Sequence, residues 1–162
     1  MDAVKIVHVS SGDKLFLPGV QELFNELYDY IGETEKNLML PPEKNASKMW
    51  IASIEKILGR FGELIVAVEN DTVVGFAAGL LRFTPDLLGA KKVGYITYFY
   101  VTPAARKKNI AKKMLAELEN WFREKNVHSI ELQVTFNNTT GQGFWKAMGY
   151  QHEVIQLRKI FS

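Results

Sequence analysis

The chain has 162 residues, 47% hydrophobic and 23% charged, with a formal net charge of +2. These are the values of one globular domain with a sizeable core, residues 1–162, and not of a general nucleic-acid binder. The absence of cysteine excludes disulfides, thiolate metal sites and cysteine nucleophiles. The N-terminus lacks the apolar core of a signal peptide, and no apolar run approaches the roughly 18 residues of a membrane span, so a cytoplasmic location is expected.

Residues 3–9 (AVKIVHV) read as a first strand. Pro18 sits near a helix start, where its missing N–H costs nothing, and Val20, Leu23, Phe24, Leu27 and Ile31 follow helical spacing. A second helix is predicted from Ser47 to Leu58, with Trp50, Ile51, Ile54 and Leu58 on one face. Between them, residues 32–46 combine turn formers with exposed apolar residues and read as a mobile loop over a site. Leu64–Val68 and Val73–Arg82 are strands joined through Asn70-Asp71, a hairpin turn pair. After a loop at 84–92, Val93–Val101 is apolar or aromatic almost throughout, as in a strand buried on both faces. Ile110, Met114, Leu118 and Trp121 or Phe122 mark a long helix. Ser129–Phe136 alternates as a strand, Asn138 caps a short helix that stops at Gly149, and Gln151–Ile160 reads as a closing strand.

Charge is unevenly spread. Residues 17–35 carry Glu22, Glu26, Asp29, Glu33 and Glu35 with no lysine or arginine. The stretch R-K-K-N-I-A-K-K, 106–113, lies where a buried strand turns into a helix. A helix N-terminus presents free N–H groups and partial positive charge, and turn N–H groups add an anion-binding nest. One such turn suits a phosphorylated cofactor and is too small a footprint for duplex DNA.

V-T-P-A-A-R-K-K-N-I-A-K-K-M-L, from Val101, resembles the acetyl-CoA-binding motif of the GNAT N-acetyltransferases, V-x-P-x-x-(R/Q)-x-x-G-x-(G/A)-x-x-(L/M). N-T-T-G-Q-G-F-W-K-A-M-G-Y, from Asn138, resembles the family's second signature. The resemblance covers about residues 3–160 and implies an α/β (α+β) fold. Its central sheet would be mixed, mostly antiparallel and splayed, with six to seven strands and about four flanking helices. It also implies acetyl-CoA as co-substrate and no metal. The pantetheine arm would pair with the backbone of Phe99, Tyr100 and Val101. The pyrophosphate would rest on the N–H groups of Lys107, Lys108, Asn109, Ile110, Ala111 and Lys112, beside Arg106, with Asn138 and Trp145 further along the cofactor.

Two positions depart from the family pattern. Asn109 replaces a glycine; asparagine tolerates a left-handed backbone and its side chain is also able to cap the helix. Trp145 replaces a tyrosine that protonates the leaving thiolate in many members, and an indole N–H is too weak an acid for that task. Tyr95 stands where the histone-acetylating branch has its glutamate. Tyr95, Tyr98 and Tyr100 are the acid/base candidates, with a water chain to Glu33 or Glu35 as another route for the proton. Tyr28 and Glu33, on the acidic first helix, are candidates for the acceptor site. The implied activity is transfer of acetyl to a primary amine of a small molecule or peptide by direct attack in a ternary complex. The competing reading is a non-catalytic acyl-CoA sensor or interaction module. No nucleic-acid or membrane partner is expected, and the closing strand suits pairing across a homodimer.

Overall fold

The computed structural model describes residues 3–35 and 40–161; part of the predicted loop over the site lies outside them. Among the described residues five strands form one sheet in the order β1-β2-β3-β4-β5: β1 Lys5–His8, β2 Gly62–Glu69, β3 Thr72–Phe83, β4 Lys92–Val101 and β5 Ile130–Leu132. The first four are antiparallel neighbours, and β5 runs parallel to β4. Among the described residues four α-helices flank the sheet: α1 Leu17–Thr34, α2 Ala46–Glu55, α3 Ile110–Glu124 and α4 Thr139–Ala147. Among the described residues no helix is long and apolar enough to cross a membrane.

Local chemistry explains the central hairpin. Asn70 and Asp71 both adopt positive φ (49° and 58°), which a two-residue turn between twisted strands requires. β2 is buried from Gly62 to Val68, because helices cover both its faces. On one face α1 and α2 deliver Val20, Leu23, Phe24 and Ile51 against Leu64, Val66 and Phe76. On the other, α3 delivers Met114, Leu115, Leu118, Trp121 and Phe122 against Ile65, Ala67 and Ala77, and Trp145 of α4 joins them. The Phe122 ring lies against backbone: a Cβ on Gly79 or on Gly94 would fall 2.6 Å from it. Glycine on two adjacent strands lets α3 approach this closely.

A bulge in β4 sets the phase of everything beyond it. Ala78 pairs with Tyr98 but Gly79 pairs with Ile96, so Thr97 is the extra residue. Side chains alternate along a strand, and skipping one residue returns Tyr98 to the face of Tyr95. Tyr95, Tyr98 and Tyr100 therefore share the α1–α2 face, while Ile96 and Phe99 face α3 and α4.

The sheet is smaller than the six to seven strands expected. β5 spans three residues, not Ser129–Phe136: it pairs with β4 only through Gly94–Ile130, Tyr95–Glu131 and Ile96–Leu132. The alternation beyond Leu132 reflects the half-buried Val134, with no described strand to complete a ladder. The predicted closing strand, Gln151–Ile160, is not one; residues 151–161 pair with no described strand and are exposed throughout. No described core cluster includes their side chains.

His8 of β1 ties three elements together. Its Nδ1 lies 3.2 Å from Glu63 of β2 and its Nε2 3.0 Å from Glu117 of α3. Burial disfavours charge on the ring, but the hydrogen bonds to Glu117 and Glu63 outweigh it and hold the imidazole above its ordinary 6.5. A raised folded-state value stabilises fully below the unfolded value and is lost as pH rises through the folded one. The thermal midpoint is thus expected to fall between about pH 6 and pH 8, and His8→Gln should flatten that slope. A His8→Gln profile parallel to wild type, measured by thermal melts across that range, would remove His8 as the cause.

Candidate active site

Past Ile96 and Leu132 the parallel strands part, and the edge of β4 from Thr97 to Val101 faces a gap. The N–H and C=O of a strand residue point to one side and alternate along the chain. Thr102 N–H donates to Val74 of β3 at 2.9 Å. By alternation the Tyr100 and Tyr98 backbone groups also point to β3, and those of Phe99 and Val101 point into the gap. Arg106 Nε takes up the Val101 carbonyl at 3.0 Å. The gap edge thus offers the N–H and C=O of Phe99 and the N–H of Val101. Tyr100, expected to pair there through its backbone, contributes a side chain on the opposite side instead.

Behind this edge Phe99 packs on Phe144 and Trp145 of α4, ring centroids 5.7 and 5.0 Å away. Trp145 is buried in the core beneath Phe99. Asn138 spends its side-chain oxygen on the Gly141 N–H at 2.9 Å, the capping expected of it, which leaves its amide NH2 for other partners.

The strand runs directly into the basic turn. Pro103–Ala105 forms a short 3-10 turn, and then Lys107 and Asn109 both take positive φ, 67° and 60°. Asn109 stands in the left-handed conformation at the N-cap of α3, the backbone state in which glycine is most at ease. Its side chain makes no cap hydrogen bond, so that part of the expectation fails. Left-handed residues alternating with ordinary ones turn successive N–H groups toward one point, a nest for an anion at the helix terminus. Lys108 is pinned to Glu69 at 3.0 Å. Lys107 and Lys112 form no ion pair with any described residue, and both are exposed. Ile110 is buried and Ala111 half-buried, so these two offer backbone only.

The sequence matches the model of the acetyltransferase (GNAT) family over residues 20–150. The chain belongs to the GNAT family. Its fold is similar to that of a mutant form of a Bacillus halodurans protein, at 17% identity and TM-score 0.78 over 98% of this chain and 99% of that one. It is also similar to an aminoglycoside N-acetyltransferase in complex with CoA, at 19% identity and TM-score 0.76 over 97% and 95% of the two chains. A Clostridium acetobutylicum protein, described as a predicted acetyltransferase and solved with acetyl-CoA, gives 21% identity and TM-score 0.72 over 98% and 96%. At these identities the likeness establishes the fold. No curated protein matches the sequence.

In this GNAT domain the opposite face of β4 carries the candidate acid/base groups. Tyr98 and Tyr28 share a 2.7 Å hydrogen bond, within an aromatic cluster of Phe24, Trp50 and Phe76. Tyr100 donates to Glu26 at 3.0 Å, and Thr102 donates to the same carboxylate oxygen at 3.0 Å. Burial, then the Glu26 carboxylate, pushes the Tyr100 phenol up to about 12. Burial and Tyr28 push Tyr98 higher still. Both phenols therefore remain protonated at neutral pH, hydrogen-bond donors and not bases. Tyr95 lies in the paired half of β4, opposite Glu131, with the Arg82 guanidinium 3.6 Å above its ring, and so stands back from the gap.

Glu33 is exposed near the end of α1 and meets no described partner. Glu35 is buried, and its carboxylate accepts from Asn137 N–H at 2.8 Å and Asn137 Nδ2 at 3.0 Å. It clamps α1 to the loop before α4. In the sequence Glu26 is one acid among the five of residues 17–35. Its role depends on β4 lying alongside, and no sequence signal marks that pairing. Among the described residues no group of three His, Asp or Glu is placed to hold a metal.

Proposed function

We propose that the chain is an acetyl-CoA-dependent N-acetyltransferase that passes the acetyl group to a primary amine of a small molecule or peptide by direct attack in a ternary complex. The observation that carries this reading is the continuity of two features. The gap-facing edge of Phe99 and Val101 leads without interruption into the positive-φ turn at Lys107 and Asn109. A strand edge that parts from its neighbour accepts an extended amide-bearing arm as an added strand. The nest at the helix terminus accepts the diphosphate joined to that arm. These residues fit acetyl-CoA, which supplies an acetyl thioester already activated for transfer.

The protein's own part is positioning and charge control. The Val101 N–H is placed to donate to a carbonyl oxygen lying along the edge, the interaction that strengthens as negative charge develops there. Glu26 is held by Tyr100 and Thr102 at the same end of β4. Its carboxylate attracts an ammonium and accepts its proton, directly or through water, leaving the amine nucleophilic. The neutral phenols of Tyr98 and Tyr100 hold this arrangement and donate hydrogen bonds; neither takes the proton. The run of acids on α1 favours a cationic acceptor, and aminoglycoside N-acetyltransferases among the structural neighbours fit that charge preference.

Calorimetric titration with acetyl-CoA, beside an adenine nucleotide lacking the pantetheine arm, tests the cofactor half of the proposal. Micromolar acetyl-CoA binding and clearly weaker nucleotide binding are expected. The failure of both to bind would sink it. CoA release with a panel of aminoglycosides, polyamines and short peptides tests the other half. With any amine that turns over, Glu26→Gln should lower kcat by about 100-fold and leave acetyl-CoA affinity unchanged. An undiminished kcat would take the proton acceptor away from Glu26.

A further inference from the structure

We infer that Glu35 is a positioning residue for the cofactor arm: through Asn137 it makes α1 a strut across the gap and fixes the width at which one extended arm fits. The inference rests on the acetyl-CoA reading above. Once β5 has parted from β4, no backbone hydrogen bond among the described residues joins 133–138 to Thr97–Val101. The two walls of the gap therefore depend on other elements for their separation.

The helix α1 is bonded to both walls. On the β4 wall Tyr28 shares its hydroxyl bond with Tyr98, and Glu26 accepts from Tyr100 and Thr102. On the far wall Glu35, the C-cap of α1, takes Asn137 with both oxygens: the backbone N–H at 2.8 Å and the side-chain Nδ2 at 3.0 Å. Asn137 Nδ2 also lies 3.4 Å from the Thr34 carbonyl, so two consecutive residues of the helix end hold it. Glu35 is only 8% exposed and pairs with no described cation. A carboxylate so enclosed is satisfied by N–H donors, in bonds stronger than those between neutral groups.

The far wall is braced from its other side as well. Gln142 of α4 donates to the Thr135 and Phe136 carbonyls at 3.2 and 2.7 Å, and Asn138 N–H donates to Thr135 at 3.0 Å. Residues 135–138 thus move as one piece, and Glu35 joins that piece to α1. The spacing suits an arm. Tyr28 and Glu35, the anchors on the two walls, are seven residues apart. That length of helix rises about 10 Å, and a strand seated between two others holds them about 9.5 Å apart. Because Glu26 rides on the same helix, the strut also sets the proposed proton acceptor against the end of the arm.

Titration of wild type and Glu35→Ala with acetyl-CoA, and with the adenine nucleotide lacking the pantetheine arm, separates the strut from the nest. Glu35→Ala should bind acetyl-CoA about 10-fold more weakly, because the arm loses a preformed seat. It should bind the nucleotide as wild type does, since the turn at Lys107 and Asn109 is untouched. Asn137→Asp breaks the same clamp from an exposed position, by setting carboxylate against carboxylate, and should show the same selective loss. Glu35→Gln keeps an oxygen for the Asn137 N–H and should recover most of the affinity. Thermal melts establish that each variant is folded. A residue serving stability alone would lower the melting midpoint and leave the ratio of the two affinities unchanged; that result would overturn the inference. So would Glu35→Gln binding as weakly as Glu35→Ala. Wild-type protein that binds neither compound would instead overturn the acetyl-CoA reading, and the strut with it.

Discussion

Arg106→Glu is expected to weaken acetyl-CoA binding by about 10- to 100-fold, measured by calorimetric titration. Two losses add. The guanidinium no longer holds the Val101 carbonyl, so the strand end and the turn lose their hydrogen bond. That bond is internal to the protein, so its loss acts on affinity only through the placing of the strand end and the turn. A carboxylate also enters a turn proposed to face a diphosphate, where like charges repel. Arg106 is exposed, so the fold should survive the change. Asn109→Gly is the matching control. The backbone already has φ 60° there and the side chain makes no cap, so affinity should stay within about twofold. An Arg106→Glu protein that binds as wild type does would place the phosphates elsewhere. A large loss in Asn109→Gly would mean that the asparagine side chain touches the ligand.

Phe122→Ala should lower the free energy of unfolding by about 3–5 kcal/mol, read from denaturant melts at constant slope. The ring is fully buried and fills the space over Gly79 and Gly94. Neither glycine has a side chain to move into the vacated volume, and the sheet backbone cannot collapse toward the helix. The cavity therefore persists, which puts the cost at the upper end of the range for such truncations. A loss below about 1.5 kcal/mol would show instead that α3 settles onto the sheet.

Much of the domain could be read from one sequence because local chemistry decided it. Asn70-Asp71 named its own turn, since few other pairs accept positive φ twice. Helical periodicity placed α1, α2 and α3, and Asn138 capped α4. The departure at Asn109 was legible too. Asparagine adopts the conformation that glycine would, so the turn keeps its shape despite the departure. What could not be read depends on partners distant in the chain. The Thr97 bulge follows from how β3 and β4 align, and no residue type announces it. Glu26 gains its meaning from Tyr100 and Thr102, more than 70 positions away. The tail of residues 151–161 alternates like a strand, but alternation reports that one side is meant to be covered and says nothing of which molecule covers it.

The bulge makes β4 sensitive to counting. Beyond Thr97 every side chain keeps its face only because one residue was left out of the ladder. Exchange of Thr97 for another small residue leaves that count alone. Taking Thr97 into the ladder as an ordinary paired residue would carry Tyr98 and Tyr100 to the α3 side and Phe99 to the α1 side, whereas its deletion would leave a regular ladder with every face unchanged. For redesigned chains, keeping this residue out of the ladder is therefore a stricter constraint than its identity, since a chain that paired it would present different side chains to each face of the same scaffold.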